Sequence, residues 1–447
     1  MASSRAVPNL AFRRLRGRRS PAEFAAAVRR AAREIGEQVA CDARYIGRVE
    51  SGEIRCPNYA YERVFLHMFP GLTLADLGFV AREHVRGRAA RAAAAPAAPI
   101  TIRNDEESDV LRRAFMTSGT ATVAAASLGL GGVPAVGSVP APRKGSTFGE
   151  AEVEAVEDAV RQIRLLDDRY GADGLYRRAA EPLRTAYTLL DTATPARQST
   201  ADRMQAGAGE LALSVGWLAH DSGRPEDARS HYAEALATAR VAGDQALEAH
   251  AFSNTSFLAR DEGRYREAVR AAQAGQRAAR RLSSPRLLSL LSLREAGAWA
   301  GLGDRAACEE ALGRAHTLFG RGASDTDPEW MSFFGEPELE ALEAQCWSAL
   351  GDWSRAARHA RRAAALQKPH FTRNLALYHA QLATDLAHAD AVDEAAAAGH
   401  RALDLLGEVR STRIRAMLTD TARLLTPRHS TPTVAAFLDR RAALGEA

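Results

Sequence analysis

Two arginines four residues apart stand in a short stretch whose residue pattern is typical of a helix. The stretch runs from Cys41 to Asn58, and Arg44 and Arg48 share one helical face within it. A guanidinium can donate two parallel hydrogen bonds to O6 and N7 of guanine in the major groove. On an ordinary helix, the same pair would be a solvated surface feature. The chemistry that these side chains permit is DNA base recognition, provided that other elements hold the helix in place.

The neighbouring residues give this helix defined ends and one buried stripe. Asp42 is a suitable N-cap, because its carboxylate can accept a hydrogen bond from an N–H group of the first turn. Ile46 and Val49 lie three residues apart and therefore face the same side. Gly52 can adopt the left-handed conformation that often follows a helix. The pattern predicts a helix over Ala43–Glu50 that buries one side and presents its arginines on another.

Two segments in this region carry a family pattern. Ile46–Gly52 reads I-G-R-V-E-S-G, and Leu15–Ala25 reads L-R-G-R-R-S-P-A-E-F-A. The first resembles the I-S-R-W-E-x-G signature of the xenobiotic-response-element (lambda-repressor-like) helix-turn-helix family, and the second resembles that family's helix 1 to helix 2 segment. The resemblance covers roughly Asn9–Phe79 and implies a small helical bundle that binds double-stranded DNA.

The resemblance also implies which residues would contact DNA. Carried over by position, they are Ala43, Arg44 and Arg48 for the bases, and Ser20 and Pro21 for the phosphates. The chain departs from the family pattern where Val49 replaces tryptophan and where Pro21 replaces glutamine. The segment between helix 2 and the turn is also longer, by roughly Val28–Gln38. This longer form resembles one found in actinobacterial regulators, in which a repeat domain often follows.

The charge of the chain is uneven. Residues 1–103 contain 18 Arg, no Lys and 9 Asp plus Glu, a balance of +9, whereas the whole chain carries +4 and the remainder therefore −5. A general arginine bias would not favour one end. A basic N-terminal part on an acidic remainder instead indicates nucleic-acid contact confined to the first part.

Length and composition indicate several helical domains. A chain of 447 residues is long enough for two or three domains. Its many Ala and Arg residues and its 6% aromatic content favour helices over strands. The cysteines, which lack a C-x-x-C spacing, are Cys41, Cys56, Cys308 and Cys346. We expect reduced thiols in a cytoplasmic protein, since the N-terminus also has no apolar signal core.

An uncharged stretch of 29 residues, Ala114–Pro142, has more than one interpretation. The preceding Leu111–Met116 resembles the core of a twin-arginine export signal, but such a signal must be N-terminal. The stretch is long enough to span a membrane. Its Thr, Ser and Gly residues make it only weakly apolar. We favour a flexible linker over 81–149.

The chain after Gly149 repeats. Five similar turns, separated by 40, 40, 48 and 39 residues, begin at Gly223, Gly263, Gly303, Gly351 and Asp390. A small residue stands seven positions before each turn and another twelve positions after it, which lets two helices approach closely. This pattern resembles the tetratricopeptide repeat, with longer helices and loops than its 34-residue consensus.

These observations predict an all-α chain with three parts. A helix-turn-helix bundle occupies 1–80, a linker 81–149 and a tetratricopeptide-like α-solenoid 150–447. Within the solenoid, Tyr170–Leu190 supplies an earlier degenerate repeat, and Arg321–Pro337 forms an irregular loop. A final helix from Pro432 caps the stack.

The first helices of stacked repeats line a concave groove. Positions three, six, nine and thirteen residues before each turn face it. The predicted groove residues are Ser214, Trp217, His220, His250, Asn254, Phe257, Arg260 and Arg294. Asparagine can pair with a ligand backbone and arginine with a carboxylate. The alternative is a helix face with incidental polar residues.

Motifs of the common catalytic and metal sites are absent from the sequence. It contains no H-E-x-x-H, P-loop or G-x-S-x-G motif and no strand-led G-x-G-x-x-G. Paired carboxylates such as Asp167 and Asp168 are expected on solvated helical stretches. We therefore expect neither an enzyme nor a cofactor or metal site.

A helix-turn-helix DNA-binding domain joined to a tetratricopeptide solenoid resembles the peptide-sensing regulators of Gram-positive bacteria. The resemblance implies a cytoplasmic, dimeric transcription factor whose solenoid binds a peptide or a protein. The alternative is a membrane-attached scaffold that uses its repeats for protein assembly. The uncharged stretch Ala114–Pro142 is the feature that distinguishes the two.

Overall fold

The computed structural model describes residues 8–79, apart from 18, 36, 38 and 58, and residues 147–443. The described residues are almost entirely helical and form two compact units. The first unit contains the N-terminal helices together with the segment Asp327–Gly335. The second unit contains the remaining elements. The predicted all-α fold is confirmed, whereas Ala114–Pro142 lies outside the described residues.

Four α-helices of the described residues belong to the first unit. They are α1 (Leu10–Arg16), α2 (Pro21–Ile35), α3 (Ala43–Glu50) and α4 (Tyr59–Met68). Their apolar faces meet around Phe12, Phe24 and Phe65, none of which is exposed to solvent. The ring of Phe12 lies edge-on to both other rings, at 5.5 and 5.1 Å between centroids. The predicted helix bounds Ala43–Glu50 are confirmed.

Local capping explains why α1 and α3 begin where they do. The Asn9 side chain accepts from the Phe12 N–H at 2.9 Å and donates to the Leu77 carbonyl at 3.1 Å, so it also fixes the C-terminal turn of the bundle. Asp42 accepts from the Tyr45 N–H at 2.7 Å, as an N-cap does. The left-handed residue that follows α3 is Gly52, with φ of 79°.

The second unit is a stack of helix pairs. Its helices are α5 (Glu150–Tyr170), α6 (Tyr176–Thr192), α7 (Gln198–Asp221), α8 (Pro225–Ala242), α9 (Gln245–Asp261), α10 (Tyr265–Ala279), α11 (Pro285–Gly301), α12 (Arg305–Phe319), α13 (Glu336–Ala349), α14 (Trp353–Leu366), α15 (Thr372–His388), α16 (Val392–Leu405), α17 (Thr412–Leu425) and α18 (Pro432–Ala443). Two short strands, β1 (Thr147–Phe148) and β2 (Thr194–Pro195), pair in parallel beside the first helices. The predicted loop Arg321–Pro337 contains a 3-10 helix, Glu329–Phe333.

The five predicted turns share one backbone conformation. Their first residues have positive φ: 70° at Gly223, 72° at Gly263, 76° at Gly303, 74° at Gly351 and 58° at Asp390. Four of the five are glycine because a residue without Cβ adopts this conformation without strain. The turns connect α7 to α8 and each of the four following pairs, so the predicted repeat register is confirmed.

Small residues bring helices together both within a pair and between neighbouring pairs. Within a pair, a Cβ on Gly216 of α7 would stand 2.6 Å from the Tyr232 ring on α8. Between pairs, a Cβ on Gly275 of α10 would stand 2.7 Å from the Leu291 side chain on α11. Both distances are too short for two carbon atoms. Ser256 is fully buried, and its hydroxyl donates to the Ala268 carbonyl at 2.8 Å. The helix contacts therefore require small residues at these positions.

Additional pairs complete the stack at both ends. The predicted degenerate repeat Tyr170–Leu190 corresponds to α6, and α5 precedes it; both helices pack against α7. At the other end, α18 packs its buried Phe437 against α16, where a Cβ on Gly399 would stand 2.5 Å from the ring. The predicted cap from Pro432 is therefore confirmed.

The first and last pairs of the second unit are in contact. The Arg410 N–H donates to the Tyr170 carbonyl at 2.8 Å, and the Thr412 hydroxyl donates to Asp173 at 3.1 Å. Tyr170 and Asp173 belong to the end of α5 and the turn after it, whereas Arg410 and Thr412 lie at the start of α17. The stack therefore closes on itself, and its first helices face a shared interior.

Candidate functional site

The first candidate surface begins at the N-terminus of α2. Ser20 Oγ accepts from the Glu23 N–H at 3.2 Å, and the Glu23 carboxylate accepts from the Ser20 N–H at 2.7 Å. This reciprocal arrangement is a capping box. Ser20 is exposed and Pro21 is half-buried. A helix N-terminus is a favourable position for a phosphate, so the position of both residues is compatible with the predicted phosphate contact.

Helix α3 separates its buried and exposed sides sharply. Ile46 and Val49 are completely buried in the bundle. Ala43, Arg44 and Gly47 are exposed on the opposite side. The two small residues leave room for another molecule to approach the helix beside the Arg44 guanidinium. This side of α3 can therefore present one cation to the major groove of DNA, and its small side chains would let the helix backbone approach closely.

Arg48 differs from Arg44 because a carboxylate already contacts it. Its Nε lies 2.9 Å from Glu53 Oε1, and the two side chains are 41% and 60% exposed. An exposed ion pair of this kind contributes only about 0–1 kcal/mol. A phosphate or base edge could therefore replace Glu53 at small cost.

The extra segment before α3 is structural. Residues 28–35 of the predicted insertion Val28–Gln38 extend α2 by about two turns. Arg29 then donates to the Cys41 carbonyl, and Arg63 pairs with the buried Glu37 at 2.5 Å. Burial raises the pKa of the Cys41 thiol to about 12. These contacts hold the chain between α2 and α3 in place.

The second candidate site is the interior of the repeat unit. The eight predicted groove residues occupy three first helices: Ser214, Trp217 and His220 on α7, His250, Asn254, Phe257 and Arg260 on α9, and Arg294 on α11. Trp217 and Arg260 are half-buried, and the other six are buried. They face the shared interior, which residues from the last pairs also fill. A ligand would therefore have to displace contacts that are already made.

Phe257 lies at the centre of this interior. Its ring stacks on Trp217 with centroids 5.9 Å apart. Three guanidinium carbons lie over the same ring: that of Arg294 at 4.1 Å, Arg260 at 4.3 Å and Arg413 at 5.0 Å from the centroid. Cations are attracted to the face of an aromatic ring, more strongly when water is excluded. The sequence pattern predicted Arg260 and Arg294 as site residues, but it did not predict Arg413 on α17.

Asp261 neutralises part of this positive charge. Its carboxylate contacts Arg260 Nη2 at 2.6 Å, Arg413 Nη2 at 3.2 Å and His220 Nε2 at 3.0 Å. Burial alone would raise the pKa of Asp261, but Arg260, Arg413 and His220 hold it well below its usual value. Burial also lowers the pKa of His220, although Asp261 opposes that effect. Asp261 therefore links α9 to α7 and α17.

A second carboxylate group ties α7 to α15. Arg373 donates to Asp221, a residue 1% exposed, and its guanidinium carbon lies 5.2 Å from the Trp217 ring centroid. The Trp217 indole N–H donates to Asp167 at 2.9 Å. Burial raises the pKa of Asp167 to about 7. The expectation that Asp167 is solvated is therefore wrong, because the stack covers that side of α5.

The remaining predicted groove residues differ in their contacts. The Ser214 hydroxyl donates to the Glu210 carbonyl within its own helix at 2.9 Å. His250 is buried, and burial, together with Arg164 and Arg294, holds its pKa well below the usual value. Asn254 is 7% exposed, and within residues 8–79 and 147–443 its side-chain amide has no hydrogen-bond partner. Asn254 thus has polar groups available for a ligand.

Two negative observations apply to the described part of the chain. No group of three or more His, Cys, Asp or Glu side chains there is arranged to hold a metal ion. No described helix has both the length and the apolar character that a membrane span requires. The second observation does not include Ala114–Pro142.

Comparison with known proteins gives matches to solved structures alone. No protein-family model and no curated protein matches the sequence. The crystal structure of a Rap protein complexed with competence and sporulation factor matches with a TM-score of 0.43 and 13% identity, over 66% of this chain and 87% of that chain. A STAND protein with a tetratricopeptide repeat sensor, from Pyrococcus horikoshii, matches with a TM-score of 0.40 and 12% identity, over 66% of this chain and 45% of that chain. Similarity at this level identifies no shared ligand or activity.

Proposed function

We propose that the chain is a transcriptional regulator that binds double-stranded DNA through α3. The observation that carries this proposal is the construction of that helix. Its caps, its buried Ile46 and Val49 and its exposed Ala43, Arg44 and Gly47 give a rigid helix with one open, cationic side. The +9 balance of residues 1–103 supports contact with a polyanion.

The repeat unit would supply the regulation. Its interior combines aromatic rings, guanidinium groups and the amide of Asn254, which has no partner among the described residues. These groups suit a peptide or a segment of a protein. A ligand that favours one arrangement of two DNA-binding units changes DNA affinity by linkage. The proposal therefore includes a homodimer acting in the cytoplasm, without a catalytic role.

Selection of duplexes from a random library by the full-length protein tests the DNA-binding role. The affinity for an enriched duplex is then compared with that for a shuffled duplex of the same composition. Arg44→Ala and Arg48→Ala should each weaken binding to the enriched duplex by about 1–3 kcal/mol and change binding to the shuffled duplex little. Arg423→Ala, which removes the same charge from an exposed position on α17, is the matched control.

Two results would contradict this proposal at different levels. If no duplex is enriched, the chain is not a sequence-specific DNA-binding protein. If Arg44→Ala weakens binding to both duplexes equally, the residue contacts phosphate and does not read bases.

A further inference from the structure

Arg294 is a buried cation that no carboxylate of the described residues contacts. It is 6% exposed on α11, and its Nε reaches Ser253 Oγ at 3.4 Å. Its Nη1 is buried and has no hydrogen-bond partner, and among the described residues Arg294 forms no ion pair. Burial lowers the pKa of Arg294 to about 10, so it remains charged at neutral pH. A buried charge without a partner is unfavourable for folding.

The described groups around Arg294 do not supply a free carboxylate to pair with it. Arg413 Nη1 is also buried without a partner. The nearby carboxylates are already engaged, since Asp261 contacts Arg260, Arg413 and His220, and Glu338 accepts from the Tyr378 hydroxyl at 2.6 Å. The site therefore has surplus hydrogen-bond donors that an anion could accept from.

We propose that Arg294 and Arg413 bind a carboxylate group of a peptide, either at its C-terminus or on an acidic side chain. This inference rests on the proposed ligand-binding role of the repeat unit and names the chemistry of its ligand. Two guanidinium groups around the Phe257 ring would donate charge-assisted hydrogen bonds to the carboxylate oxygens. The Asn254 amide, one helical turn before Phe257, would pair with the peptide backbone.

Entry of the peptide requires the closed stack to open. The incoming carboxylate competes with Asp261 for Arg413, which belongs to the last helix pair. Binding would therefore loosen a contact between α17 and α9 while it satisfies Arg294. The same exchange gives the ligand a route to change the arrangement of the repeats.

Three pools of random hexapeptides without Asp or Glu at their variable positions test the inference. The first pool has an amidated C-terminus, the second has a free C-terminal carboxylate, and the third is amidated but contains one fixed Glu. Each pool is incubated with the full-length protein, and retained peptides are quantified by mass spectrometry after gel filtration. We expect retention of a carboxylate pool at least about tenfold above the first pool. Retention of the second pool would assign the bound carboxylate to the peptide C-terminus, and retention of the third pool would assign it to an acidic side chain.

Variants at Arg294 separate binding from structure. Arg294→Met should abolish the preference for carboxylate, and Arg294→Lys should restore part of it. The melting temperature of Arg294→Met should equal or exceed that of the wild type, because a buried unpaired charge is removed. Arg423→Met, at an exposed position, is the control and should retain the preference.

Three other outcomes would contradict the inference, and one of them would also contradict the ligand-binding role of the repeat unit. Equal retention of all three pools refutes the carboxylate inference and leaves peptide binding standing. Retention of no pool refutes both this inference and the ligand-binding role of the repeat unit. A markedly lower melting temperature for both Arg294 variants would show that the residue is structural, through its contact with Phe257, and would also refute the inference.

Discussion

Replacement of Asp385 by asparagine should change how stability depends on pH. Asp385 on α15 is fully buried, and its Oδ1 accepts from Ser348 at 2.8 Å and from Gln381 at 2.9 Å. Its Oδ2 is buried without a partner. Burial raises the pKa of Asp385 from 3.8 to about 7, although both hydrogen bonds oppose the increase.

The direction of the effect follows from proton linkage. Because the folded protein holds this proton more tightly than the unfolded chain, protonation stabilises the fold fully below about pH 4, and that stabilisation is lost as the pH rises to about 7. Each pKa unit corresponds to about 1.4 kcal/mol, so the loss has an upper bound of about 4 kcal/mol. Asparagine cannot ionise and lacks this dependence.

Urea unfolding followed by circular dichroism at pH 5 and pH 8 measures the difference. The free energy of unfolding of Asp385→Asn minus that of the wild type should be larger at pH 8 than at pH 5, by on the order of 1–3 kcal/mol. Asp439→Asn, at an exposed position on α18, is the control and should show no such change. A difference that does not vary with pH would refute the assignment of a buried carboxyl that ionises near neutral pH.

Two further substitutions test the proposed DNA-binding surface of α3 and the packing of the repeat helices. Glu53→Gln should strengthen DNA binding by about two- to fivefold, because it releases Arg48 from its exposed ion pair and removes a negative charge; unchanged or weaker binding would contradict a role for Arg48 in DNA contact. Gly216→Ala should destabilise the repeat unit, since overpacking against Tyr232 costs about 1–3 kcal/mol and the gain in helix propensity returns about 1 kcal/mol. A melting temperature above that of the wild type would show that the two helices are not packed as closely as described.

The elements that could be predicted from the sequence are those fixed by local chemistry. The bounds of α3 follow from the cap at Asp42 and the left-handed Gly52, which act within a few residues. The repeat register follows from small residues and turns that recur at nearly constant spacing. Asp390 fits this register without being glycine, because aspartate tolerates the left-handed conformation better than most residues.

The features that could not be predicted depend on closure of the stack. Arg373 and Asp221 are 152 positions apart, so no local pattern connects them. Asp167 was misjudged for the same reason, since its burial depends on helices that follow it in the chain. Arg413 lies after the last recognised turn and was outside the repeat rule. The sequence thus indicated the lining on three helices but not the residues that fill the space opposite them.

The central claim is that a peptide bound in the repeat unit changes the affinity of α3 for DNA. Its most direct test is the affinity of the full-length protein for its enriched duplex, with and without the hexapeptide pools, in the wild type and in Asn254→Ala. The account predicts a change of about 5- to 150-fold in the wild type, as is typical of coupled sites. It predicts no change in Asn254→Ala, whose melting temperature should stay close to that of the wild type. A wild-type affinity that no pool alters, or an Asn254→Ala protein that melts far below the wild type, would contradict it.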